Sequence, residues 1–149
     1  MGYHKGHKEF HVLDLQDGWH TLPGYPLGIQ EKIIAGELDE KNKRGNRTRL
    51  LRSAPGTYTT DPFVHDYWEE VFLLSGDLIV GNDRLGSGGE KFQNYTYAVR
   101  PPGVHHGPFK SDSGCLLLET HISWRTDDLF ENRSLLLRLK FAQAVSRQS

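Results

Sequence analysis

The chain holds little of what would commit it to export, a membrane or nucleic acid. Its only cysteine is Cys115, so no intrachain disulfide can brace it, and the run Cys115-Leu116-Leu117-Leu118 reads as a buried, inert thiol. No apolar run approaches the ~20 residues of a membrane span. Met1-Gly2-Tyr3-His4-Lys5 also lacks the apolar stretch of an export signal. A formal net charge of -1 leaves no basic excess to attract nucleic acid or an anionic membrane surface. The expectation is a cytoplasmic protein with neither as partner. At 149 residues the chain can bury one core but not two, so it is read as a single domain, 1–149.

What is present has the punctuation of an all-β protein. Short apolar or alternating runs span 28–35, 47–54, 71–80, 95–100 and 115–123, separated by turn clusters such as Ala54-Pro55-Gly56 and Gly81-Asn82-Asp83. Turns at this spacing favour a β-barrel or jelly roll over residues 27–123. The charge-dense stretch 37–45 reads as a solvated hairpin turn, and 85–93 as a mobile loop. Residues 1–20 carry His4, His7, His11 and His20 without strand or helix logic and read as an arm covering the barrel or a partner subunit. Residues 124–149, with Leu135, Leu139 and Ala142 on one side, read as a short C-terminal helical extension.

Two blocks carry the chemistry. In the first, His65-Asp66-Tyr67-Trp68-Glu69-Glu70, strand alternation puts His65, Tyr67 and Glu69 on one face and Trp68 and Glu70 on the other. Trp68 is thereby expected to pack outside any pocket, against the arm or a second subunit. In the second, Arg100-Pro101-Pro102-Gly103-Val104-His105-His106, the prolines and glycine fix a turn that delivers His105 and His106, which face opposite ways if the chain stays extended. Two imidazoles and a carboxylate with open positions make the ligand set of a non-haem Fe(II) facial triad, so His65, Glu69 and one of His105 and His106 are the candidate metal ligands.

These blocks resemble the two motifs of the cupin superfamily. Glu69 and Gly76 fall at the first motif's spacing after His65, and Pro101, Gly103 and His106 match the second. The first motif's leading histidine falls on Phe63, and the second motif's leading glycine on Tyr95. The wider pattern, Arg47-Thr48-Arg49-Leu50-Leu51-Arg52 through Val99-Arg100-Pro101-Pro102-Gly103, is similar to small single-domain cupins of the anti-sigma-factor-like and acetylacetone-dioxygenase-like type. The resemblance implies a homodimeric cupin barrel that binds a divalent metal, Fe(II) by preference, with zinc, nickel or manganese as alternatives on purification.

Several residues carry two readings. On strand 116–123, His121 shares a face with Leu117 and Glu119. If that face looks inward, Glu119 enters the pocket and His121 can supply the imidazole absent at Phe63; if outward, both are surface groups. Arg47, Arg49 and Arg52 either clamp a substrate oxyanion or face solvent, and Tyr67 and Tyr97 either donate to an oxyanion or fill the core. Tyr67, Arg49 and Glu119 are the candidate catalytic groups. The resemblance implies a dioxygenase that cleaves a small enolisable diketone or hydroxyaryl ketone. A non-redox metal-dependent isomerase or decarboxylase and a metal- or ligand-sensing module are the alternatives.

Overall fold

The computed structural model describes residues 5–123. Its strands are β1 (His20–Thr21), β2 (Ile29–Asp39), β3 (Arg44–Ser53), β4 (Trp68–Val80), β5 (Glu90–Gln93), β6 (Tyr97–Arg100), β7 (Phe109–Lys110) and β8 (Cys115–Ser123). They pair in the order β1-β2-β3-β8-β4-β5, with β6 and β7 also on β4, and every pairing is antiparallel. No helix occurs among the described residues; the helix expected over 124–149 lies outside them.

Strand β4 organises the barrel because it changes partners halfway. Residues Trp68 to Phe72 pair with β6 and β8, whereas Asp77 to Val80 pair with β5 and β7. The change follows a bulge between Leu73 and Ser75, which bends the strand and increases its twist. Gly76 permits the bend: its φ is 83°, and a Cβ there would collide with the Gly114 carbonyl oxygen. Tyr95 has a φ of 70°, so the position where the second cupin motif has glycine keeps the left-handed backbone with a tyrosine in it.

The interior changes character along the strands. On β8 the buried residues alternate as Cys115, Leu117, Glu119 and His121, running from apolar to polar. The apolar end is the core, where Val71, Leu73, Cys115 and Leu117 pack with Leu51 and Leu78. Burial of the Cys115 thiol agrees with its sequence reading. The other end holds the polar site.

The ends of strands depart from expectation. The loop expected over 85–93 contains β5, whose four residues Glu90–Gln93 pair with the far half of β4. Sequence gave little signal because Phe92 is the strand's sole apolar residue. The hairpin expected over 37–45 is present, with its strands extending to Asp39 and from Arg44. The arm is fastened to β2 and β3 by Lys5 Nζ to Thr48 Oγ1 (2.5 Å), Lys8 Nζ to the Ile34 carbonyl (3.2 Å) and the Trp19 ring under Arg52 (4.2 Å). Trp68 stands on the outer face of β4, 46% exposed.

At the core end, Asp77 ties β4 to the turn between β7 and β8. It accepts hydrogen bonds from the Ser113 amide (2.8 Å) and hydroxyl and from Ser111 Oγ (3.2 Å), and pairs with Lys91 Nζ (2.9 Å). Burial pushes its carboxyl up, but the bonds from Ser113 and Lys91 outweigh this and hold it below the usual range. Asp77→Asn is expected to cost about 1–3 kcal/mol in urea unfolding. A depressed folded-state pKa means the carboxylate's contribution is complete above the unfolded value of ~4 and declines as pH falls below it. The asparagine variant should therefore lose less stability between about pH 5 and pH 2 than the parent in a thermal-melt series.

Candidate metal centre

Register builds the site. Across four neighbouring strands, Arg47 on β3 faces His121 on β8, His121 faces Glu69 on β4, and Glu69 faces Arg100 on β6. One row further in, Arg49 faces Glu119. Side chains opposite one another in a sheet lie within contact range, so both rows become bonded networks. Arg100 donates through Nη1 to Glu69 Oε2 (2.6 Å), and Arg49 donates through Nε to Glu119 Oε2 (2.6 Å) and through Nη1 to Glu31 Oε2 (2.8 Å).

Two histidines reach the same carboxylate from outside the sheet rows. His65 Nε2 lies 3.4 Å and His106 Nε2 3.6 Å from Glu69 Oε2. Phe63, two residues before the first block, forms a two-way backbone bridge with His106, which sets the two motif segments side by side. The His65 and His106 rings then meet edge to face, 4.8 Å between centroids.

The tautomers follow from the partners. His65 Nδ1 lies 2.9 Å from the Tyr67 carbonyl and His106 Nδ1 3.0 Å from the Val104 carbonyl. A carbonyl only accepts, so in each neutral ring the proton sits on Nδ1 and the Nε2 lone pair points at Glu69. His65 Nε2 is buried and has no hydrogen-bond partner. Leaving a buried polar atom unpaired costs free energy, and a backbone acceptor on the opposite ring nitrogen is how metal-binding histidines are oriented. The donors therefore fit a divalent first-row cation of the kind that imidazole and carboxylate share. Ligand atoms of His65, Glu69 and His106 can be chosen that all lie within 4.8 Å of one another.

His121 has the opposite arrangement. Arg47 Nε and Nη2 lie 3.1 and 2.9 Å from its Nδ1. A guanidinium only donates, so Nδ1 accepts and the proton sits on Nε2. That N–H faces Glu69 Oε1 at 3.2 Å and Glu119 Oε2 at 3.4 Å. His121 is fully buried, and the polar face of β8 is the inward one, so Glu119 and His121 both belong to the interior.

The network sets the charges. Burial pushes the Glu69 carboxyl up, but the hydrogen bond from His121 and the Arg100 charge outweigh it and hold the group far below the usual carboxylate range. Burial likewise pushes Glu119 up and Arg49 brings it down. Tyr67, stacked on His65 with ring centroids 4.0 Å apart, has its phenol pushed up by burial and then by Glu40, so it stays protonated and able to donate.

Tyr67, Glu69, Arg49 and Glu119 line one cavity of about 350 Å³ with His65 and His106. Arg47 lines it too. Arg52 lines it as well while donating to Gln30, whereas Tyr97 lies on the outer face of the sheet with its hydroxyl donating to Glu70 Oε1 (2.6 Å). His105 is exposed, as are His7, His11 and His20 of the arm, while His4 lies outside the described residues. Sequence reading missed Arg100 as a site group. It stood beside the Pro-Pro-Gly turn, but its place opposite Glu69 depends on a register between strands that single-strand alternation does not reveal.

No protein-family model and no curated protein matches the sequence. Solved structures do resemble the fold. An RmlC-like cupin from Shewanella frigidimarina superposes with a TM-score of 0.56 at 16% identity, covering 83% of this chain and 97% of its own. An acetylacetone dioxygenase from Acinetobacter johnsonii gives 0.54 at 19%, covering 82% and 80%. The polyketide cyclase RemF from Streptomyces resistomycificus gives 0.54 at 15%, covering 80% and 82%. At these identities the likeness speaks to architecture, and with the eight antiparallel strands and the two motif segments joined at Phe63 and His106 it establishes that the chain has the cupin fold.

Proposed function

We propose that the chain is a metal-dependent cupin enzyme in which His65, Glu69 and His106 hold one divalent ion, Fe(II) in its native form, and that it oxidatively cleaves a small enolisable diketone or hydroxyaryl ketone. The observation that carries the metal reading is the buried, partnerless Nε2 of His65, aimed with that of His106 at a carboxylate that stays ionised. The dioxygenase activity draws on the fold shared with the A. johnsonii enzyme. Its partners are a small-molecule substrate and a second copy of the chain, in the cytoplasm. Exposed Trp68, Tyr97 and Val99 on the outer face of β4 and β6 support the homodimer.

When bound, such a metal supplies a Lewis acid for substrate oxygens and open positions for oxygen chemistry. This chain's own side chains do the rest. His121 holds Glu69 Oε1 through its Nε2–H and so orients the carboxylate, with Arg47 fixing the tautomer. Arg49 pins Glu119 in place. The Tyr67 phenol, protonated and on the cavity wall, donates to a developing oxyanion.

In this reading His121 positions a ligand. His121→Ala should keep one metal per chain while raising the metal dissociation constant about 10-fold, read by competition with a chelating dye. Loss of stoichiometric metal would make His121 a ligand itself.

Anaerobic reconstitution with Fe(II), then oxygen uptake on a panel of β-diketones and hydroxyaryl ketones, tests the activity. Uptake that requires iron supports the dioxygenase. Turnover under argon with metals other than iron would replace it with a non-redox isomerase or decarboxylase, for which Glu119, 3.4 Å from the His121 N–H, is the proton acceptor at hand. Tight ligand binding without turnover would make the protein a sensing module.

A further inference from the structure

Three aromatic rings in the cavity have no part in the core. Tyr25 and Phe63 stack with centroids 5.2 Å apart at 21°, and Phe63 and Phe109 follow at 6.0 Å and 19°. None belongs to the packed cluster of Val71, Leu73, Cys115 and Leu117, and all three are half-buried on the cavity wall. They come from separate parts of the chain, since Tyr25 precedes β2, Phe63 precedes β4 and Phe109 begins β7. Half-buried rings from three segments, aligned nearly parallel beside a cavity, form an apolar surface suited to another flat ring.

The polar end of this wall is Arg100. Its guanidinium carbon lies 5.5 Å from the centre of the Phe109 ring, and Nη1 is the one donor it gives to Glu69. Arg100 lines the cavity of about 350 Å³, a volume in the range that encloses a drug-sized ligand. Phe63 therefore contributes apolar surface at the position where the cupin pattern has a ligand, on the same cavity wall as the Arg100 guanidinium.

We propose that Tyr25, Phe63 and Phe109, with Arg100 at their inner end, form a binding subsite for planar, aryl-conjugated oxyanions, so that the enzyme prefers aryl-substituted enolates to small aliphatic ones. The oxyanion end rests on the enolate reading above; the aromatic end does not, because it needs no metal. Phe63 sets this preference through contact with the substrate's ring.

Equilibrium dialysis of acetylacetone and benzoylacetone, which share a diketone head and differ by a ring, tests it on the full chain, both EDTA-stripped and metal-loaded. Benzoylacetone should bind about 10-fold more tightly in both states. Phe63→Leu and Phe109→Leu should each reduce that preference to about 3-fold or less without altering metal stoichiometry. The second variant keeps the test decisive if the first fails to fold. Butyrophenone, which keeps the aryl ketone but lacks the acidic β-dicarbonyl, should bind about 10-fold more weakly than benzoylacetone, and Arg100→Leu should erase that difference in the stripped protein.

Equal affinity for the two diketones, or a preference that survives in both leucine variants, overturns the subsite. A preference that persists in a protein binding no metal leaves the subsite standing and removes the metalloenzyme reading. Acetylacetone turnover with no aryl preference does the reverse.

Discussion

Replacing Glu69 by glutamine is expected to strip the metal from the protein. The carboxylate is the one anionic group shared by His65, His106, His121 and Arg100, with its oxygens 3.4, 3.6, 3.2 and 2.6 Å from them. A neutral amide of the same shape keeps the packing but loses the charge that a divalent cation needs, and it leaves Arg100 beside the site without a counter-charge. Metal affinity should fall on the order of 100-fold or more. Elemental analysis after dialysis against one equivalent of Zn(II) or Fe(II), with circular dichroism to verify the fold, reads the result. Full retention of metal would mean that the ion sits elsewhere and that His65, Glu69 and His106 do not form its site.

The second large effect concerns stability. Arg49 is 6% exposed and pairs with Glu119, itself 4% exposed, and with Glu31. Burial alone would lower the Arg49 pKa; the two carboxylates outweigh it and push the group up. Arg49→Met leaves Glu119 buried without its cation, and removing one partner of a buried pair costs about 3–5 kcal/mol. For a chain of this size the melting temperature should drop by on the order of 10 °C. Adding Glu119→Leu and Glu31→Gln to Arg49→Met should recover most of the loss, since a buried ion network whose charges are all replaced is close to neutral. A single variant within about 1 kcal/mol of the parent in urea unfolding would show that water reaches Glu119 and that this end of the barrel is wet.

Much of this was readable along single strands. Strand alternation put His65, Tyr67 and Glu69 on one face and Trp68 on the other, and the burial of β4 follows that parity. The start of β8 was legible to the residue, because Gly114 punctuates the chain just before the strand-forming run that opens at Cys115. Where a local signal was weak, the reading failed. Glu90–Gln93 is a strand because the bend at Gly76 turns the far half of β4 toward it, a fact its own residues barely announce.

Sequence by itself therefore determined the fold class and the candidate donors, because turn residues and period-two alternation act within a few residues of where they stand. Tertiary structure decided which side of β8 faces in, that Arg100 stands opposite Glu69, and that His121 points a proton and not a lone pair at the carboxylate. Those outcomes depend on pairing between residues 31 to 74 positions apart in the chain, as Arg100 is from Glu69 and Arg47 from His121. A one-residue slip in either pairing would turn the inner face outward while leaving every local signal unchanged.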